Sequence, residues 1–180
     1  MKAAAMTIRA ADQSEFPHLI KVIESSYGPH DPNHAMPGRH PIDLKAPPWS
    51  WWSDPVLSWF VAEENGVLAG FGLWRRVGRN SHLHSFFVGA EFQGKGVAQE
   101  LLKFHWAQSI QINPVLDTFT LHVREEAAWA RRFYAKNSYR ELDQKSLDPL
   151  EDSGLGDWIR NCRRFQWPLP PGQVLMARSR

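Results

Sequence analysis

Two short stretches carry residues whose types and spacing could do chemistry. The first is "FFVGAEFQGKG", residues 86 to 96, where two phosphate-binding signatures overlap. From Gly89, the run Gly89-Ala90-Glu91-Phe92-Gln93-Gly94-Lys95-Gly96 fits all but the last position of the triphosphate loop G-x-x-x-x-G-K-[ST]. From Gln93, the run Gln93-Gly94-Lys95-Gly96-Val97-Ala98 fits a different cradle, Q-x-x-G-x-A. The second stretch is "HLH", His82 to His84, just upstream. Imidazole titrates near pH 6.5, so these two side chains suit proton transfer around neutral pH.

The two cradles make different demands. The triphosphate loop needs a hydroxyl directly after its lysine to ligate Mg²⁺, and that position is Gly96, which has no side chain. A later strand should also end in a metal-holding Asp, yet "TFTLHV" runs into Arg124 and Glu125. The second cradle asks only for backbone. A helix opening near Gly94 offers unpaired N–H groups and a positive dipole end, which suit a pyrophosphate. Gly94, Gly96 and Ala98 keep that backbone unobstructed.

His82 and His84 stand two apart on a strand, so they share a face with Phe86 and Val88. A His-x-His pair can also ligate a metal, but no third ligand follows at a regular spacing, and no metal is expected. His30, His34 and His40 are scattered through a proline-rich stretch and read as exposed loop residues. Tyr134 lies beside Phe133 on an amphipathic segment. By periodicity alone both are core aromatics.

These residues need elements to position them. "TIRAAD" (7 to 12) reads as a first strand, and Asp12 or Ser14 as the cap of a helix that buries Phe16, Leu19, Ile20 and Ile23. Residues 28 to 55 hold seven prolines and little periodicity, with room for a short helix near Pro41 to Lys45. A loop this long inside one domain is usually functional or mobile. Asn65-Gly66 between "VLSWFVAEE" and "VLAGFGLWRRV" signals a hairpin, and "SHLHSFFV" follows as the next strand. A helix from about Gly94 to Ile110 buries Val97, Leu101, Leu102, Trp106 and Ile110, and Pro114 stops it. Then come the strand "VLDTFTLHV", a helix over about Glu125 to Asn137, the short strand "YRELD", and a last strand in "RRFQWPL". The order predicts an α/β fold with a mixed, mostly antiparallel sheet in one domain spanning 1–180, with a Pro/Trp-rich insertion at about 28–55.

Composition narrows the partners. The chain has 180 residues and a net charge of +2, with no run of five basic residues, so nucleic acid is not expected. Cys162 is the only cysteine, which excludes an internal disulfide framework. No apolar run approaches a membrane span and the first residues lack a signal-peptide core, so a cytoplasmic protein without membrane contact is expected.

"SFFVGAEFQGKGVAQELL" and "ARRFYAKNSY" resemble the coenzyme-binding motif and the A-x-x-F-Y-x-K-x-G-F helix end of the GNAT superfamily of N-acetyltransferases. The resemblance covers most of the chain. It departs at Ser138, where the family usually has Gly, and around Glu126 and Ala127, where an Asn is common. It implies acetyl-CoA as co-substrate, with the amides of Gln93, Gly94, Lys95, Gly96, Val97 and Ala98 on its pyrophosphate. Phe86, Phe87 and Val88 would pair with the pantetheine arm like an added strand.

Acetyl transfer to an amine needs the amine deprotonated, a donor for the developing oxyanion and an acid for the departing thiolate. The resemblance implies the Val88 N–H as oxyanion donor and Tyr134 as the acid. His-Leu-His before the coenzyme strand resembles the arylalkylamine N-acetyltransferase branch, in which such histidines relay the amine proton; here they are His84 and His82. The expected acceptor is a small-molecule amine. Trp49, Trp51 and Trp52 suit an aromatic wall for it, an anchor of the loop, or a homodimer contact, and these three stay open. The alternatives to an enzyme are a non-catalytic coenzyme A-binding or regulatory module and, less favoured, a nucleotide-binding P-loop protein.

Overall fold

Asn65 and Gly66 adopt φ of 54° and 80°, the left-handed pair that a two-residue hairpin turn demands. They join β2 (Leu57–Glu64) to β3 (Val67–Val77). The computed structural model of the chain describes residues 6–27, 53–142 and 172–180. Upstream, β1 (Met6–Ala10) pairs antiparallel with β2, Met6 opposite Glu64 and Ala10 opposite Phe60. The Asp12 carboxylate accepts from the Ser14 N–H at 2.8 Å, and Glu15 accepts from the Asp12 N–H at 2.7 Å. This reciprocal capping box begins a 3-10 turn that runs into α1 (Phe16–Tyr27), as the sequence predicts.

After β3 come β4 (Asn80–Val88), a 3-10 turn over Ala90–Phe92, α2 (Val97–Ile112), β5 (Thr118–Arg124), α3 (Ala128–Lys136), β6 (Arg140–Leu142) and β7 (Gln173–Ser179). The strands form one sheet in the order β1-β2-β3-β4-β5-β7-β6. β4 and β5 run parallel, while β5/β7 and β6/β7 are antiparallel. The fold is the mixed, mostly antiparallel α/β sheet with flanking helices that the sequence predicts.

The chain divides into two compact units, Met1–Trp74 with Ser85–His105, and Arg75–His84 with Trp106–Arg180. In the first, strand alternation sorts the core. Trp59 and Val61 of β2 and Phe71 and Leu73 of β3 pack with Phe16, Leu19, Val22 and Ile23 of α1. Phe60 points to the other face, its ring centroid 4.5 Å from Trp74, 5.8 Å from Phe104 and 6.4 Å from His105. Gly70 lies on that second face. A Cβ there would stand 2.7 Å from the Phe87 carbonyl oxygen and 3.0 Å from Leu101, so only glycine lets β4 and α2 pack at this distance.

In the second unit, Phe119 and Leu121 of β5 and Leu175, Met176 and Ala177 of β7 are buried. Trp106 is half-buried: its indole N–H donates to the Tyr139 hydroxyl at 3.1 Å and the Arg178 guanidinium lies 3.9 Å over its ring. β7 is not foreseen by the sequence reading. The strand expected in "RRFQWPL" lies outside the described residues, as do the helix near Pro41 to Lys45, the tryptophans Trp49, Trp51 and Trp52, and His30, His34 and His40.

Candidate active site

The phosphate-cradle candidates sit in the first unit. β4 ends at Val88, and the 3-10 turn carries the chain to Gln93 in extended conformation. Gly94 and Gly96 then take φ of 75° and 87°. This left-handed backbone strains residues bearing a Cβ, and open space surrounds both positions. The first hydrogen bond of α2 runs from the Glu100 N–H to the Gly96 carbonyl at 3.1 Å. The N–H groups of Val97 and Ala98 precede it and have no helical carbonyl to bond. Buried Val97 anchors the helix start, while Gly94, Lys95 and Gly96 are exposed. The helix thus begins at Val97 rather than Gly94, and both glycines belong to the turn. An anion set there would meet main-chain donors and the positive end of a sixteen-residue helix.

Gln93 uses its groups differently from its neighbours. Its main-chain N–H donates to the Ala90 carbonyl at 3.3 Å. Its side-chain Nε2 donates to the carbonyls of Ser26 at 3.2 Å and Val88 at 3.1 Å. Gln93 therefore fastens the turn to the end of β4 and to α1. Lys95 holds its ammonium 5.5 Å from the Phe92 ring centroid.

The Val88 main chain has a defined direction. The Gly89 N–H donates to the Ala69 carbonyl on β3 at 2.9 Å. N–H directions alternate along a strand, so the Val88 N–H points to the opposite edge of β4. Phe86, Phe87 and Val88 all lie downstream of the parallel ladder to β5, which runs from Asn80/Thr118 to Leu83/Leu121.

In the second unit the two histidines share a face, their rings 6.4 Å apart. His82 is buried and its Nδ1 lies 2.9 Å from the Thr120 hydroxyl, which also accepts from Asn80 Nδ2 at 2.8 Å. His122, on β5, brings a third ring within 5.0 Å of His82. Burial, and then the Arg75 charge, hold His84 below the ordinary imidazole pKa. Burial, with His84 nearby, pushes His122 down to about 4. The His84 and His122 rings are therefore neutral at pH 7, the state in which a histidine accepts a proton. Among the described residues no group of three or more His, Cys, Asp and Glu has metal-binding geometry.

Tyr134 is buried on α3, its ring 5.7 Å from Tyr139 and 5.2 Å from Phe133. Burial, and secondarily Tyr139, raise its hydroxyl pKa well above the ordinary phenol value, so the group keeps its proton. After α3, Ser138 adopts φ of 67°, in the left-handed region. It occupies the position where the resembling motif has Gly.

Sequence reasoning passed over Asn80, Thr120 and His122. Thr120 and His122 stand two apart on β5, just as His82 and His84 do on β4, and the parallel register sets Thr120 opposite His82. The shared alternation was the available signal, but it becomes informative only once the two strands are known to pair.

Residues 24–139 match the sequence profile of the acetyltransferase (GNAT) family. No curated protein matches the chain by sequence. Solved structures do resemble its fold. A GNAT-family acetyltransferase from Staphylococcus aureus Mu50 superposes with a TM-score of 0.68 at 18% identity, over 97% of this chain and 99% of that one. The ribosomal-protein-S18-alanine N-acetyltransferase of Escherichia coli gives 0.66 at 18% identity, over 97% and 94%. The PaiA N-acetyltransferase of Thermoplasma acidophilum, solved with coenzyme A, gives 0.65 at 15% identity, over 98% and 99%. With the profile covering more than half of the chain, the protein belongs to the acetyltransferase (GNAT) family and is an acyltransferase.

Proposed function

We propose that the protein transfers an acetyl group from acetyl-CoA directly to the primary amine of a small molecule, without a metal. The observation that carries this is the turn at Gly94 and Gly96: two left-handed glycines with open space beside them, leading into the Val97 and Ala98 amides, which precede the first hydrogen bond of α2. Such a surface fits a diphosphate and needs no divalent ion. Acetyl-CoA, when bound, supplies the acyl group activated as a thioester.

The remaining steps fall to this chain. Main-chain N–H groups from Gly94 to Ala98 bind the diphosphate, and Gln93 holds their turn in place through its side chain. Phe86, Phe87 and Val88 present strand backbone to the pantetheine arm. The Val88 N–H, pointing away from β3, donates to negative charge developing on the carbonyl oxygen. His84 accepts the amine proton, for which its neutral ring is suited, with the His82 ring beside it. Tyr134 keeps its proton at neutral pH and donates it to the departing thiolate.

Titration calorimetry tests the cradle: acetyl-CoA should bind equally with and without Mg²⁺. Nucleotide binding that requires Mg²⁺ would overturn the assignment. Thiol release should then be followed across small primary amines and across peptides. The peptides belong in the panel because the Escherichia coli structural neighbour is named for an alanine of a ribosomal protein. Turnover on small amines is the expected result, and turnover confined to peptides would refute the small-molecule acceptor.

A further inference from the structure

The hydroxyl of Thr120 is caught between two partners in a fully buried setting. Asn80 and Thr120 have no exposed surface and His82 is 5% exposed. Asn80 Nδ2 donates to Thr120 Oγ1 at 2.8 Å, and Thr120 Oγ1 lies 2.9 Å from His82 Nδ1. A hydroxyl has one hydrogen to give. With Asn80 donating into its oxygen, that hydrogen is available to the only other partner on this path, the Nδ1 lone pair of His82.

We propose that Asn80 and Thr120 are positioning residues that hold His82 as the neutral Nε2–H tautomer, so that His84, rather than His82, takes up the amine proton. The chain of donation runs Asn80 N–H to Thr120 O–H to His82 Nδ1. It commits the Nδ1 lone pair and leaves His82 a donor through Nε2. The rings of His84 and His122 lie 6.4 and 5.0 Å from that of His82. Thr120 thereby does for His82 what a hydrogen-bonding partner does for any functional imidazole: it chooses which nitrogen carries the proton. The tautomer is argued from the buried hydrogen bonds, whereas its bearing on catalysis rests on the function proposed above.

The experiment is long-range ¹H–¹⁵N correlation of the histidine rings in the full-length ¹⁵N-labelled protein at neutral pH, with the His82 signals assigned by their loss in His82→Gln. The expected spectrum has a protonated Nε2 and an acceptor Nδ1. A protonated Nδ1, which would require the Asn80 amide turned over and the chain reversed, overturns the proposal. Rapid averaging of the two nitrogens overturns it equally. Thr120→Val should abolish the fixed tautomer and lower kcat about fivefold, the worth of one ordinary hydrogen bond, with coenzyme affinity unchanged. Thr120→Ser should restore both. If no amine is acetylated while His82 shows Nε2–H, the functional reading fails and the tautomer stands. If the enzyme is active with Nδ1–H, the reverse holds.

Discussion

The side-chain amide of Gln93 donates to the Val88 carbonyl at 3.1 Å, tying the turn that opens α2 to the last residue of β4. Two candidate tasks, holding a diphosphate and steadying an oxyanion donor, are thus linked by one side chain. Gln93→Ala removes this bond and the one to the Ser26 carbonyl. At about 1 kcal/mol for a typical hydrogen bond, the Kd for acetyl-CoA should rise roughly fivefold for one bond and thirtyfold for both in calorimetry. Gln93→Glu, which cannot donate when ionised, should fare no better. An unchanged Kd in both would show that the side chain does not hold the cradle.

Gly96 offers a test of the backbone itself. Its φ of 87° lies where a side-chain-bearing residue is strained by roughly 1–2 kcal/mol. Nothing within 4 Å would touch an added methyl, so the strain is purely conformational. Gly96→Ala should lower stability in urea by about that amount and weaken coenzyme binding, because relief of the strain would reshape the turn. A variant that binds normally would argue against these amides as the diphosphate site.

Tyr134→Phe keeps the buried ring and removes only the hydroxyl. Loss of a positioned acid costs on the order of 100-fold in rate, so kcat should fall by about that factor while the Kd for acetyl-CoA stays level. Burial raises the Tyr134 pKa, so the phenol should remain protonated past pH 10 and kcat should show no alkaline decline from it below that pH. Stability has the same sign. Unfolded tyrosine ionises near pH 10 while the folded one does not, so this contribution is intact below pH 10 and shrinks as pH rises further.

His84 makes a prediction at the acidic end. Its pKa is lowered by burial and by Arg75, so the neutral, proton-accepting ring persists below the usual imidazole value near 6.5. The acid limb of kcat/KM should accordingly lie below pH 6.5. His84→Ala should cost about 100-fold at pH 7 and much less at pH 9 or above, where more of the amine is already deprotonated. A variant whose pH–rate profile overlays the wild type removes His84 from the relay.

Ser138 sits at φ of 67° just past α3, where its own N–H bonds the Ala135 carbonyl at 3.1 Å and the Tyr139 N–H bonds the Tyr134 carbonyl at 3.1 Å. This is a left-handed helix end of the kind that glycine makes without strain. Ser138→Gly should stabilise the protein by about 1 kcal/mol, visible as a melting temperature higher by about 2–4 °C. A lower melting temperature would mean that the serine side chain contributes more than its backbone costs.

The elements that alternate or cap cleanly were legible in the sequence. Asn65-Gly66 announced the hairpin and Asp12 the start of α1, because both signals are local chemistry. β7 was not legible. Leu175, Met176 and Ala177 are buried in succession, since β7 lies between β5 and β6 and is covered on both sides, so no polar alternation marks it. The left-handed glycines could be suspected from the Gly94–Gly96 spacing, but the work of the Gln93 side chain could not. It reaches Ser26, far back in the sequence, through a contact that only the folded chain creates. The Asn80–Thr120–His82 path was hidden for the same reason: β4 and β5 are separated by a whole helix, and their register is set by tertiary packing.

Gly70 carries a consequence for how this protein can diverge. Because the missing methyl sits 2.7 Å from the Phe87 oxygen and 3.3 Å from Val88, any larger residue would lever β4 away from its neighbour. Variation at this one place on β3 would move a candidate donor that it never touches through chemistry. An alteration at Gly70 would therefore shift the proposed donor whatever the acceptor.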